Sequence, residues 1–179
     1  MKSRLSARIC AVVAPLAMAS PALAAQQVQP TKPVPVDLYS GRWYEVARTP
    51  NRMQANCQAS TTDFSGWSDG DFSAVQTCHK GAPTGPVSSI SVHGRVLPAS
   101  MNAKMQLSMM GGLLAQQYWI LDHAQDDNWL IMTTPNDHYV WILARTPVLS
   151  PAAKAAAMSR LQSLGLDVSR LAFQQQAAR

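Results

Sequence analysis

From Val36 to Thr146 the chain is a series of short runs rich in aromatic, β-branched and other apolar residues, interrupted by turn-forming residues. Runs of this kind form strands, in which successive side chains point to opposite faces. Their aromatic and β-branched content predicts strands over residues 43–48, 58–65, 72–80, 88–97, 103–109, 117–121, 129–134 and 139–144. Turn signals separate them at residues 66–71 and 81–86, at Gly111-Gly112, at Asp126-Asp127-Asn128 and at Pro135-Asn136-Asp137. Short strands at this spacing specify an all-β domain, either an antiparallel barrel or a sandwich.

The pattern changes after Thr146. Ser150 is a suitable cap for a helix whose first residue is Pro151, and residues 152–164 are Ala-rich. Ala157, Leu161 and Leu164 fall on one stripe at helical spacing, with Lys154 away from it, and Gly165 is a natural stop. Residues 166–175 form a final extended piece. One helix after a run of antiparallel strands is expected to pack on the outside of the sheet.

The first residues follow neither pattern. Lys2, Arg4 and Arg8 precede a short apolar core and then Ser20-Pro21-Ala22-Leu23-Ala24, the pattern of a secretory signal peptide cleaved after Ala24. The apolar core is about half the ~20 residues of a membrane-spanning helix. Cys10 stands at the start of that core and not after a small-residue box, so no lipobox is present and the exported protein is expected to be unlipidated and periplasmic. Contact with the outer membrane stays open. The division is a signal peptide over 1–24, a Gln- and Pro-rich flexible leader over 25–35, one folded domain over 36–175 and a tail over 176–179.

The net charge of +5 includes the three cations of the signal. What remains has no Lys/Arg cluster able to follow a phosphate backbone, which argues against nucleic acid. Cys57 and Cys78 remain in the exported part, and an even count there suggests a disulfide, the alternative being two unrelated thiols. A hairpin register with Phe64 opposite Asp71 also sets Cys57 opposite Cys78, within bonding reach. His79, His93, His123 and His138 are scattered, with no metal-ligand spacing, and no nucleophile elbow or phosphate loop occurs. No metal, no cofactor and no enzymatic activity are expected.

The segment Gly41-Arg42-Trp43-Tyr44-Glu45-Val46-Ala47-Arg48 resembles the Gly-x-Trp motif that opens the first strand of lipocalins. Tyr139-Val140-Trp141-Ile142-Leu143-Ala144-Arg145-Thr146-Pro147 looks like the closing strand of the bacterial outer-membrane, apolipoprotein D-like branch. Tyr118-Trp119-Ile120-Leu121-Asp122, Trp129-Leu130-Ile131-Met132 and Gly165-Leu166-Asp167-Val168-Ser169 match in order and spacing. The resemblance covers residues 36–175 and implies an eight-stranded, antiparallel, up-and-down β-barrel with one C-terminal helix outside. It also implies that Arg145 packs over Trp43 and closes one end. Two features depart from the family: Asp126-Asp127-Asn128 replaces its usual turn, and Gly111-Gly112-Leu113-Leu114-Ala115 replaces an aromatic run, predicting a more aliphatic wall.

With Trp43 inward, strand alternation places Glu45 and Ala47 inward as well, together with Tyr118, Ile120, Leu130, Met132, Tyr139, Trp141 and Leu143. Glu45 is the least comfortable of these as filler, because a buried carboxylate requires a partner or a raised pKa. An apolar lining with few polar points suits a fatty acid or lysophospholipid, carried by a monomer or homodimer. Two alternatives stay open: a lipid isomerase using the thiol of Cys57 or Cys78, and an envelope interaction protein with a filled barrel.

Overall fold

The computed structural model describes residues 27–176. The expected signal peptide lies outside them. A 3-10 turn at Val36–Tyr39 leads into β1 (Gly41–Arg48). There follow β2 (Cys57–Ser68), β3 (Asp71–Lys80), β4 (Val87–Val96), β5 (Lys104–Met109), β6 (Leu114–His123), β7 (Trp129–Thr133) and β8 (Val140–Ala144). Helix α1 (Pro151–Ser163) and a two-residue strand β9 (Ala172–Phe173) complete the chain. Each strand pairs antiparallel with its sequence neighbour, and β1 pairs with both β8 and β2, which closes an eight-stranded barrel. β9, from the expected extended tail, adds to β1 on the outside of that ring.

Two hydrophobic clusters lie on the two sides of the sheet. One fills the barrel around Trp43, Phe64, Phe72 and Met105. The other lies under α1, where Ala157 and Leu161 meet Leu121, Ile131 and Ile142. This explains why the patterning fades in the later strands: β7 and β8 read as continuous apolar runs because both of their faces are covered. In β3 the outward positions 73 and 75 face solvent, and the alternation is plain. The Ser150 hydroxyl accepts from the Ala153 N–H, which satisfies one of the free donors at the start of α1.

The β2–β3 hairpin differs from its expected register. The turn is the dipeptide Asp69-Gly70, both residues with positive φ (49° and 87°), the geometry of a two-residue hairpin turn. The strands therefore run further, and Phe64 faces Ala74, not Asp71. Cys78 faces Ser60, and a bulge between Cys57 and Ala59 returns Cys57 to it. The Cys57–Cys78 disulfide forms across that bulge, with the Cα atoms 5.3 Å apart.

The described part of the expected flexible leader has fixed partners. The Thr31 N–H donates to the Leu121 carbonyl and the Val34 N–H to the Met101 carbonyl, and Val34 is buried in the barrel cluster. Lys32 and Arg160 both pair with Asp122, joining this strap, β6 and α1 at one end of the barrel. Burial works to raise the Asp122 pKa, but the hydrogen bonds from Lys32 and Arg160 outweigh it and hold the carboxyl below its ordinary value.

Candidate functional site

One end of the barrel is a floor. The first tryptophan of β1, Trp43, is fully buried and donates its indole N–H to the Leu38 carbonyl. The Arg145 guanidinium lies 3.8 Å from the centre of its ring and donates to the Ser40 and Asp37 carbonyls. Burial at this contact lowers the Arg145 pKa. Gly41 belongs to the same construction: its φ is +68°, and a side chain there would begin 3.6 Å from Arg145. Tyr39, Phe64, Trp67 and Phe72 stack above this seal with ring centres 5.1–6.2 Å apart. In β4 only a glycine fits beside them, because a Cβ on Gly94 would fall 2.1 Å from the Phe72 ring.

On β3 to β6 the inward side chains become more accessible toward the other end, while on β1, β2 and β8 Glu45, Arg48, Ser60 and Trp141 stay buried. Along β6, Ile120 is buried, Tyr118 half-buried and Gln116 exposed. Along β5, Met105 is buried while Leu107 and Met109 are not. Along β4 the inward sequence is buried Gly94, half-buried Val92 and exposed Ile90, and along β3 it is buried Ala74, half-buried Gln76 and exposed Lys80. These residues face the axis of a closed sheet, so their accessibility measures room inside it. The lower half is packed solid, and above it the barrel opens along β3 to β6. At its rim a cavity of about 410 Å³ opens where β5 stops short of β4, lined by Val92, Met109 and Gly111 among others. A second cavity, of about 230 Å³, lies on the outer face around Arg95 and Gln106 and does not reach the interior.

The expected interior residues divide between these levels. Ile120, Leu130 and Leu143 are buried in the floor cluster. Tyr118, Met132 and Tyr139 are half-buried in the cup beside Trp141, with Tyr118 and Tyr139 ring centres 5.6 and 6.2 Å from it. Burial raises the Tyr118 pKa, so its hydroxyl stays protonated.

Ala47 is a correction. The β1–β8 register slips between Glu45 and Ala47, so Ala47 pairs with Ile142 and lies in the cluster beneath α1. Arg48 pairs instead with Trp141 and turns to the interior. The carboxylate of Glu45 thereby finds its partner within the protein: Arg48 donates to one oxygen and Gln54 to the other, the latter at 2.6 Å. Arg48 also donates to the Gln54 and Cys57 carbonyls, at 2.9 and 2.7 Å, and the Trp141 indole donates to Gln54 Oε1 at 3.1 Å. Burial pushes the Glu45 carboxyl up, and the charge and hydrogen bonds of Arg48, with that of Gln54, pull part of the way back.

Sequence reasoning missed Arg48 and Gln54. Strict alternation assigns Arg48 to the outside, and Gln54 belongs to a loop whose 3-10 turn Arg52–Gln54 is capped by Asn51. Ser60 was missed as well. It is 1% exposed, and its hydroxyl has no hydrogen-bond partner among the described residues. It faces inward across from Cys78. The two cysteines are bonded to each other, so neither offers the thiol that the isomerase alternative requires.

A closed antiparallel barrel with a sealed floor, an open apolar cup and a helix on its outer face defines a class of small cup-shaped barrel proteins. Residues 34–176 match the lipocalin-like domain family, and the chain belongs to it. It is similar to the outer membrane lipoprotein Blc of Vibrio cholerae, 21% identical over 151 residues, covering 84% of this chain and 88% of that protein. It is also similar to mouse apolipoprotein D, 24% identical over 149 residues, with 79% and 77% covered. Among solved structures, insecticyanin from the tobacco hornworm Manduca sexta shares the fold, with a TM-score of 0.71 at 15% identity over 86% of this chain and 87% of that one. Lipocalins typically bind small hydrophobic ligands.

Proposed function

We propose that this lipocalin carries a single-chain lipid, a fatty acid or lysophospholipid, in the upper half of its barrel, within the bacterial envelope and without catalysing a reaction. The observation that supports this reading is the accessibility of inward apolar side chains along β4 to β6, at Val92, Ile90, Leu107, Met109 and Tyr118. Trp141, Tyr118, Met132 and Tyr139 form the aromatic and sulfur-bearing wall of this space. Burying one methylene there contributes about 0.8 kcal/mol, and micromolar affinity corresponds to about 8 kcal/mol, so an acyl chain supplies enough even after ordering costs. The signal-like start and the kinship with proteins named outer membrane lipoproteins support an envelope location.

Native mass spectrometry of gently purified protein should show a co-purifying lipid in this mass class. Delipidated protein should bind a fluorescent fatty acid with micromolar or tighter affinity. A delipidated protein that ignores every fatty acid and lysophospholipid tested would refute the carrier reading.

A further inference from the structure

The mouth of the barrel carries a second pattern that cargo binding does not require. Two of its four loops present bare apolar side chains to solvent. Met53 lies in the β1–β2 loop and is 85% exposed; Leu113, in the β5–β6 loop, is 81% exposed. Met110 and Leu114 flank the latter, and Val87 and Ile90 stand where β4 rises above the shorter β5. An apolar ring around an opening that faces water is costly to keep exposed and marks a contact surface.

The charges sort along the same axis. The exposed cations Arg52 and Lys80 lie at the mouth, and Arg170 joins them by donating to the His138 carbonyl in the fourth loop. The acids at this end are few: Asp137, Glu45 and Asp167, the last held by Ser169 and close enough to Arg170 to feel its charge. Asp137 accepts from the Val28 N–H, and Glu45 is buried against Arg48. The opposite end holds Asp37, Asp69, Asp71, Asp126 and Asp127; of its cations, Arg42 pairs with Asp63 and Arg95 with Asp71, Arg145 lies over Trp43 and Lys104 over Trp119. The opening is thus apolar and carries exposed cations, whereas each cation of the floor has a partner in an acid or an aromatic ring.

We infer that the protein docks mouth-down on an anionic phospholipid surface, with Met53, Leu113 and their neighbours dipping among the lipids and Arg52, Lys80 and Arg170 on the headgroup phosphates. In this pose a lipid passes between bilayer and cup without crossing water. Each cation near an anionic surface contributes about fivefold in affinity, and the apolar tips add a part that salt does not screen. A second copy of the chain is the competing occupant, but two such mouths would set like charges against each other.

The test is co-sedimentation of the purified, delipidated protein with vesicles of phosphatidylglycerol in phosphatidylethanolamine, against phosphatidylcholine vesicles, at low and high salt. Binding should favour the anionic vesicles and weaken, without vanishing, at high salt. Met53→Ser with Leu113→Ser, and separately Arg52→Glu with Lys80→Glu, should each weaken it by about tenfold or more. Val148→Ser, at an apolar residue 74% exposed outside the mouth, should leave it unchanged. Melting temperatures of the variants establish that they fold. Rim variants that sediment like the parent would overturn the proposal. So would rim variants that convert a dimer to a monomer on size exclusion while vesicle binding persists. The cargo reading fails separately: protein that docks but takes no fluorescent fatty acid in solution refutes the carrier, and protein that takes it but ignores vesicles refutes the docking.

Discussion

Glu45 and Arg48 form an ion pair inside the barrel, although they stand three residues apart on a strand whose alternation should place them on opposite faces. The slip in the β1–β8 register between Glu45 and Ala47 turns Arg48 inward and Ala47 outward in one step. The pair anchors the β1–β2 loop, because Arg48 also holds the carbonyls of Gln54 and Cys57.

Removing one member should be worse than removing both. Arg48→Met leaves a buried carboxylate without its counter-charge and should cost about 3–5 kcal/mol in urea unfolding. The double variant Arg48→Met with Glu45→Gln should recover most of that. A single variant as stable as the parent would show that the pair contributes nothing.

Trp43 and Trp141 should separate stability from binding. Trp43 is fully buried under Arg145, so Trp43→Ala should lose about 3–5 kcal/mol of stability. Trp141 borders the open cup, so Trp141→Ala should weaken fluorescent fatty-acid binding more than it lowers folding yield. The reverse ranking would mean that cup and floor have been exchanged.

Asp122 gives stability a pH dependence at the acid end. Its carboxyl is held below the usual value, so its contribution is present above the unfolded pKa, near 4, and is lost as pH falls through the lower folded value. Asp122→Asn should therefore cost about 1 kcal/mol at neutral pH, and the gap to the parent should close at strongly acid pH. Thermal melts of both proteins across that range would measure it, and a gap that widened on acidification would contradict the assignment.

The disulfide should stabilise without being required for cargo. Closing the 21-residue separation between Cys57 and Cys78 contributes about 2–4 kcal/mol, so reduction should lower the urea midpoint while fatty-acid binding below that midpoint persists. Loss of binding at full folding would place the cystine in the ligand wall.

The sequence alone determined the class of fold. Aromatic and β-branched runs punctuated by turns are a local signal, and they located every strand of the barrel within a few residues, as Ser150-Pro151 located the start of α1. The floor was legible too, because Trp43 and Arg145 sit at fixed places in two long motifs. Only the tertiary structure decided the register. A β-bulge has no reliable sequence mark, and two of them, between Glu45 and Ala47 and between Cys57 and Ala59, reassigned Ala47 and Arg48 and moved the cystine off the aligned pair. The length of the β2–β3 hairpin hung on whether Asp69-Gly70 or the whole of residues 66–71 made the turn, a choice settled by pairing across the sheet. The fixed course of residues 28–34 depends on acceptors such as the Leu121 and Met101 carbonyls, far away in sequence. Composition cannot report a hydrogen bond whose other half is brought there only by folding.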